Sequence, residues 1–155
     1  MPLVWDDPSG WTRRAPTTGS RAAEYAIPRA PSDSEDAECT VVTFGPRQGG
    51  TPDQNLDRWI GQFRDLTGRP VKATRPSNRT GGLEIKRVEV AGTYMAMQLP
   101  GEHAPPDPKH GYRLIGAVIE APSGLWFFKL TGPDATVQAA SHDFDQMVQS
   151  AHPRG

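Results

Sequence analysis

The sequence predicts an α+β domain: a twisted, mainly antiparallel β-sheet with helices packed on it. Three observations carry this expectation. Residues 112–131 read as a hairpin whose two strands are apolar on both faces, so both faces must be covered. Two segments, 52–66 and 133–150, are apolar on one face at helical spacing. Extended segments rich in β-branched residues stand before and between these helices, a pattern of layered α+β domains.

Taken in order, Leu3–Trp5 reads as a short strand, with Trp5 and Trp11 available to pin the N-terminal segment to the body. "RAAEYAI", 21–27, alternates with Ala23, Tyr25 and Ile27 on one face, and Pro28 ends it. Residues 28–37 are an acidic polar loop. "ECTVVTFG" follows as a strand, with Cys39 read as a small buried residue. "FGPRQGGTPDQNLDRWIGQF" is a Gly-rich connection into a helix. Thr51 and Gln54 form a T-x-x-Q capping box with Pro52 in the first helical position. Leu56, Trp59, Ile60 and Phe63 then share one face, and closure is expected near Leu66.

Residues 67–82 read as a loop or ragged extended segment, and 83–97 as a strand bent at Gly92. Residues 98–111 form a loop with four prolines. In the hairpin, "APSG" predicts a three-residue turn with Gly124 left-handed. The small pair Gly116 and Ala117 leaves room for the aromatics of the partner strand. The last helix begins at a T-x-x-D, Thr131–Asp134, and stops at Pro153. The chain thus reads as one domain, 1–155, with 1–20 loosely attached and 98–111 a long Pro-rich loop.

The charge balance is near neutral: 17 Lys and Arg against 18 Asp and Glu, net −1. No large field favours nucleic acid or an anionic membrane. The basic residues Arg69, Lys72, Arg75 and Arg79 are broken by prolines and read as a solvated loop. One cysteine supports neither an internal disulfide nor a Cys-based metal motif. No apolar run is long enough for a transmembrane helix.

The candidate sites are few. The 45–51 loop lacks the G-K-[ST] ending of a phosphate-binding loop, and Pro52 removes a donor that an anion would use. Arg47, Gln48 and Thr51 remain its candidate surface. The 98–111 loop carries Glu102, His103, Asp107 and His110, but its histidines are seven apart in a Pro-rich segment, so no metal site is expected. His103, Asp107 and His110 are instead candidates for a partner or ligand surface. His142, with Asp143 and Asp145, reads as a solvated helix face. No G-x-S-x-G elbow is present. No cofactor and no catalytic residue are expected.

"RAAEYAIP", "DAECTVVTFGPRQGGTPDQNLDRWIGQF" and "GYRLIGAVIEAPSGLWFFKLTGPDATVQAASHDFDQMVQS" resemble an uncharacterised bacterial family. The carrying motifs are the Gly-rich loop before N-x-x-R-W-x-x-Q-F, residues 55–63, and W-F-F-K-L-T-G-P, residues 126–133. The resemblance runs from about Gly10 to Ser150. It implies an export signal, often of lipoprotein type, and no activity. "MPLVWDDPSGW" has no basic n-region and no apolar h-region. The expected location is therefore the periplasm or cell envelope if a leader, with a possible lipid anchor, was removed, and the cytoplasm otherwise.

More distantly, the aromatic strand and the helix ending "F-D-x-M-V-x-S" resemble the PsbP-like fold. That fold is an α/β/α sandwich found in photosystem extrinsic subunits and in a nuclear-transport factor that binds Ran. The resemblance implies a non-enzymatic binding or assembly module with a protein partner. The competing expectation is a small-ligand binder or enzyme with a pocket near Gly45–Thr51.

Overall fold

The computed structural model describes residues 3–16, 21–44, 50–80, 82–95 and 108–154. Within them the chain runs β1 (Leu3–Val4), β2 (Thr12–Arg14), β3 (Arg21–Ile27), β4 (Ala37–Thr43), α1 (Pro52–Ile60), β5 (Phe63–Arg64), β6 (Ser77–Thr80), β7 (Leu83–Met95), β8 (Pro108–Ala121), β9 (Gly124–Pro133), α2 (Asp134–Ser150) and β10 (His152–Pro153). The main sheet has the order β2-β3-β4-β9-β8-β7-β5, with β6 on the same outer edge of β7 as β5. Every pairing in it is antiparallel. A separate two-stranded clasp joins β1 to β10.

The hairpin β8–β9 is central, and its alternation divides the interior into two cores. Ile115, Ala117 and Ile119 of β8 and Trp126, Phe128 and Leu130 of β9 face α2. Leu114 and Val118, with Phe127, face α1. Helix α2 seats Val137, Ala140, Phe144, Met147 and Val148 on the first face, while α1 seats Leu56 and Trp59 on the second. One helix on each face makes the α/β/α sandwich. Trp5 and Trp11 pack on the α2 side: the Trp5 indole donates to Tyr25 Oη at 2.9 Å, and Trp11 meets Tyr25 edge-on.

Several local details differ from the expectations. Helix α1 stops at Ile60 instead of near Leu66. Gly61 and Gln62 turn the chain, Gln62 C=O accepts from Met95 N, and Phe63 pairs with Tyr94. Phe63 still reaches the α1-side core, fully buried, so its helical spacing was satisfied by a turn and a strand. Residues 77–80 are a strand, β6. The hairpin turn has two residues, not three, because Ala121 pairs with Gly124, whose φ is +126°. The space left by Gly116 is filled by Trp59 of α1 and not by an aromatic of β9: a Cβ there would lie 2.5 Å from the indole. Gly92, with φ +150°, marks the expected bend, and a register shift follows it.

The T-x-x-D reading of α2 is also corrected. Thr131 belongs to β9, opposite Glu38, and Pro133 is the N-cap with no side-chain bond. The cap comes from outside the helix. Asp33 Oδ2 accepts from the Thr136 backbone N–H at 2.8 Å and from its hydroxyl at 2.6 Å, and that hydroxyl accepts from Ala30 N. A carboxylate at the positive end of a helix doing an N-cap's work stabilises by about 1–2 kcal/mol. Asp33→Ala is expected to lower stability by about that amount, read as a shift in urea midpoint with unchanged slope.

Candidate functional site

The capping box of α1 forms as expected: Thr51 Oγ1 accepts from Gln54 N at 3.1 Å, and Gln54 Oε1 accepts from Thr51 N at 3.0 Å. Thr51 is thereby committed to the helix start. Thr51→Ala is expected to cost about 1 kcal/mol of stability by thermal or urea unfolding.

The cap also orders the next turn. Asn55, 2 % exposed, donates from its amide to Thr51 C=O at 2.8 Å, and its Oδ1 accepts from Arg58 at 2.7 Å. A buried amide with both ends bonded holds the Arg58 guanidinium against the helix start.

Beyond α1, the same face of β9, β4, β3 and β2 carries a polar row. Register places Glu24 opposite Thr40, and Thr40 opposite Lys129; Gly116 follows on β8. Lys129 is the one charged residue of its strand. Its ammonium stands over the Trp59 ring at 5.8 Å and the Tyr94 ring at 5.6 Å, contacts of the cation–π kind. Its polar neighbours are Tyr94 Oη at 3.4 Å and Gln62 Oε1 at 3.5 Å. Burial lowers its pKa to about 8; the nearby Arg58 and Arg21 add to this, and Glu38 opposes it.

Glu24 is fully buried and held by Arg21 at 2.8 Å and Arg14 at 3.4 Å. Glu38 takes Arg14 at 3.1 Å and Arg21 at 3.6 Å. Burying a carboxylate is tolerated only with such partners.

At one end of this face Tyr94 and Tyr112 stack at 5.9 Å with rings nearly parallel. Burial raises the pKa of both phenols; Glu35 adds to the shift of Tyr112, and Glu38 to that of Tyr94. The Tyr112 hydroxyl donates to Glu35, and Lys109 Nζ donates to the same carboxylate at 3.0 Å; these bonds hold Glu35 below the usual carboxylate range. Ser32–Glu35, Pro108–Tyr112 and Pro133 line an open groove of about 550 Å³ here.

His110 lies in this groove on strand β8, where its Nδ1 is 3.0 Å from Thr93 Oγ1. Arg47, Gln48, His103 and Asp107 lie outside the described residues, as do Gly45 and Glu102. The described ends of the two loops settle one point. Phe44 follows the Trp126 end of β4, whereas Met95 and Pro108 lie beyond the Tyr112–Pro133 row. The two loops thus leave opposite ends of the sheet, about 35 Å apart along the strands.

Among the described residues, no group of three His, Cys, Asp or Glu is arranged to hold a metal ion. Cys39 is fully buried, and burial pushes its thiol pKa far up. His142 and Asp143 are exposed on α2, while Asp145 binds Arg87 at 2.5 Å. Arg75 leaves its loop to bridge Asp53 and Asp57 of α1. Lys129, Glu24 and Glu38 are not among the residues that the sequence singles out. The available signal was a charged residue inside an apolar strand, "FFKL" and "AAEYA", since such residues are buried only when paired or caged.

No family model matches the chain, and no curated protein matches it. Solved structures do. Cyanobacterial PsbP (CyanoP) from Synechocystis has a TM-score of 0.60 at 11% identity, over 98% of this chain and 86% of its own. PA94, a protein of unknown function from Pseudomonas aeruginosa, gives 0.59 at 13% identity, over 95% and 99%. LpqN of Mycobacterium tuberculosis, involved in cell envelope biogenesis, gives 0.53 at 11% identity, over 97% and 83%. Identities this low speak for the fold alone. The chain has the PsbP-like α/β/α sandwich fold.

Proposed function

We propose that this chain is a non-enzymatic binding or assembly module of the bacterial cell envelope, and that the α1-side face of β2, β3, β4 and β9 contacts its partner. The observation that carries this reading is the fixed mixed-charge array Arg14, Arg21, Glu24 and Glu38 beside the caged Lys129. It is mounted on strands, so its geometry is set before a partner arrives. Preorganised charge of both signs favours specificity and orientation over raw affinity. The envelope role of LpqN and the PsbP kinship of CyanoP support the assignment of compartment and class.

The test is capture from the envelope fraction of the native host with three baits: the wild-type chain, a double reversal Arg14→Glu/Glu38→Arg, and Asp143→Arg on the outer face of α2. The reading expects a partner held by wild type and Asp143→Arg and lost by the double reversal. Capture that is indifferent to the double reversal contradicts it, as does finding the native protein only in the cytosol.

A further inference from the structure

We infer that the groove between α2 and β7 binds a free α-amino acid, its carboxylate on Arg87 and its ammonium on Glu89. The groove lies on the α2 side of the sheet, away from the partner face. It holds about 300 Å³, the lower end of ligand-pocket volumes and room for one small molecule. Register sets its floor: Arg87 stands opposite Ala117 and Glu89 opposite Ile115, both of the α2-side core. One wall is the segment 74–78. It is fixed to β7 by the bond from Arg87 N–H to Pro76 C=O at 2.8 Å and by the two bonds exchanged between Thr74 and Glu89. The other wall is α2, with Asp145 and, one turn on, Gln149.

Arg87 is the fixed element. Its side chain is only 12 % exposed. Nη1 donates to Asp145 Oδ1 at 2.5 Å, and Nε donates to Asn78 Oδ1 at 3.3 Å. A guanidinium has five N–H donors. Among the described residues the Arg87 side chain uses two, which leaves both donors of Nη2 for an acceptor that enters the groove. A planar fork held in this way suits a carboxylate.

The surrounding charge says what else the ligand carries. Arg87 and Arg113 stand among Glu89, Asp145 and Asp134, with Arg113 bridging Glu89 at 2.6 Å and Asp134 at 2.5 Å. Two cations against three carboxylates leave one negative charge in excess, so a bare anion is disfavoured. A second carboxylate on Arg87, beside that of Asp145, needs a cation brought in with it. Glu89, half exposed, is the place for that cation. Arg87 and Glu89 are two residues apart on one face of a strand, roughly 6.5 Å. An α-amino acid matches that spacing: its carboxylate and ammonium are adjacent, and each reaches its partner through a charge-assisted bond of about 2.8 Å. Neither end of a peptide carries both charges on one carbon, so the match is to the free amino acid.

The experiment titrates the whole chain at pH 7 with L-alanine, with sodium acetate and with ethylammonium chloride, at constant ionic strength. The readout is the side-chain amide NMR signals of Asn78 and Gln149. A saturable shift with L-alanine is expected, at least tenfold tighter than with acetate or ethylammonium. Arg87→Gln and Glu89→Gln should each weaken alanine binding at least tenfold, whereas Lys109→Gln, at the far end of β8, should not. Arg87 also ties β7 to α2, so Glu89→Gln, at a half-exposed position, decides the matter if Arg87→Gln does not fold. No saturable shift with L-alanine, equal affinity for acetate, or alanine binding that survives Glu89→Gln overturns the proposal. The outcome is separate from the capture experiment, which reads the opposite face of the sheet.

Discussion

Gly116→Ala is expected to destabilise the protein by about 2–3 kcal/mol, while Gly10→Ala changes stability by less than about 0.5 kcal/mol. The added methyl at 116 lies 2.5 and 2.7 Å from Trp59 Cζ3 and Cε3, and 3.2 Å from Val88 Cγ1. At Gly10 nothing lies within 4 Å. The indole has little freedom to give way. Trp59 is buried, meets Phe127 edge-on at 6.2 Å, and carries the Lys129 ammonium on its face. The usual benefit of replacing glycine in the unfolded chain, about 0.4–1 kcal/mol, offsets only part of this. Helix α1 must lift to accommodate the change, so the Trp59 indole signal should move as well. Urea denaturation of both variants checks the first claim, and their NMR spectra the second.

Lys129→Met is expected to stabilise the protein by about 1–2 kcal/mol at pH 6, with the gain vanishing as the pH approaches 10. The sign follows from proton binding. A lysine whose pKa falls from 10.5 to about 8 on folding binds fewer protons in the folded state between those values. Below about pH 8 the charged amine carries its full burial penalty, on the order of 3 kcal/mol by the conversion of pKa to free energy. Above that pH the folded amine is neutral and the penalty fades. Methionine never has it, but loses the contacts with Trp59 and Tyr94, worth about 1 kcal/mol or somewhat more. The groups facing the amine from the neighbouring elements are Arg58 on α1, Glu38 on β4, Arg21 on β3 and Tyr94 on β7. Comparing both proteins at each pH removes the tyrosine ionisations common to them. A gain that is constant from pH 6 to 10 would show that burial of the charge is not its cause.

Much of the fold was legible because its signals are local and redundant. The two-faced alternation of 112–119 and 125–130 required helices on both sides, and Thr51-Pro52-Asp53-Gln54 announced a helix start by side-chain chemistry that needs no tertiary context. What escaped depends on distant partners. Phe63 keeps helical spacing yet leaves the helix, because Gln62 C=O and Phe63 find β7. The cap of α2 comes from Asp33, about a hundred residues away in the chain, where the local pattern points to Thr131. The candidate site was largely illegible for the same reason. Glu24, Lys129 and Trp59 are far apart in sequence and reach one face only through strand register and the seating of Trp59 on Gly116. Composition near neutrality concealed them too, since the charges that matter are a few residues within a balanced total.

The most direct test of this account is the side-chain pKa of Lys129, followed by its Cε chemical shift in the full chain. Titration near pH 8 is expected, moving upward in Arg58→Gln as a like charge is removed and downward in Glu38→Gln as an opposing one is lost. Titration at 10.5, the ordinary value, unmoved by either substitution, would contradict the buried, cation-crowded site on which the functional reading rests.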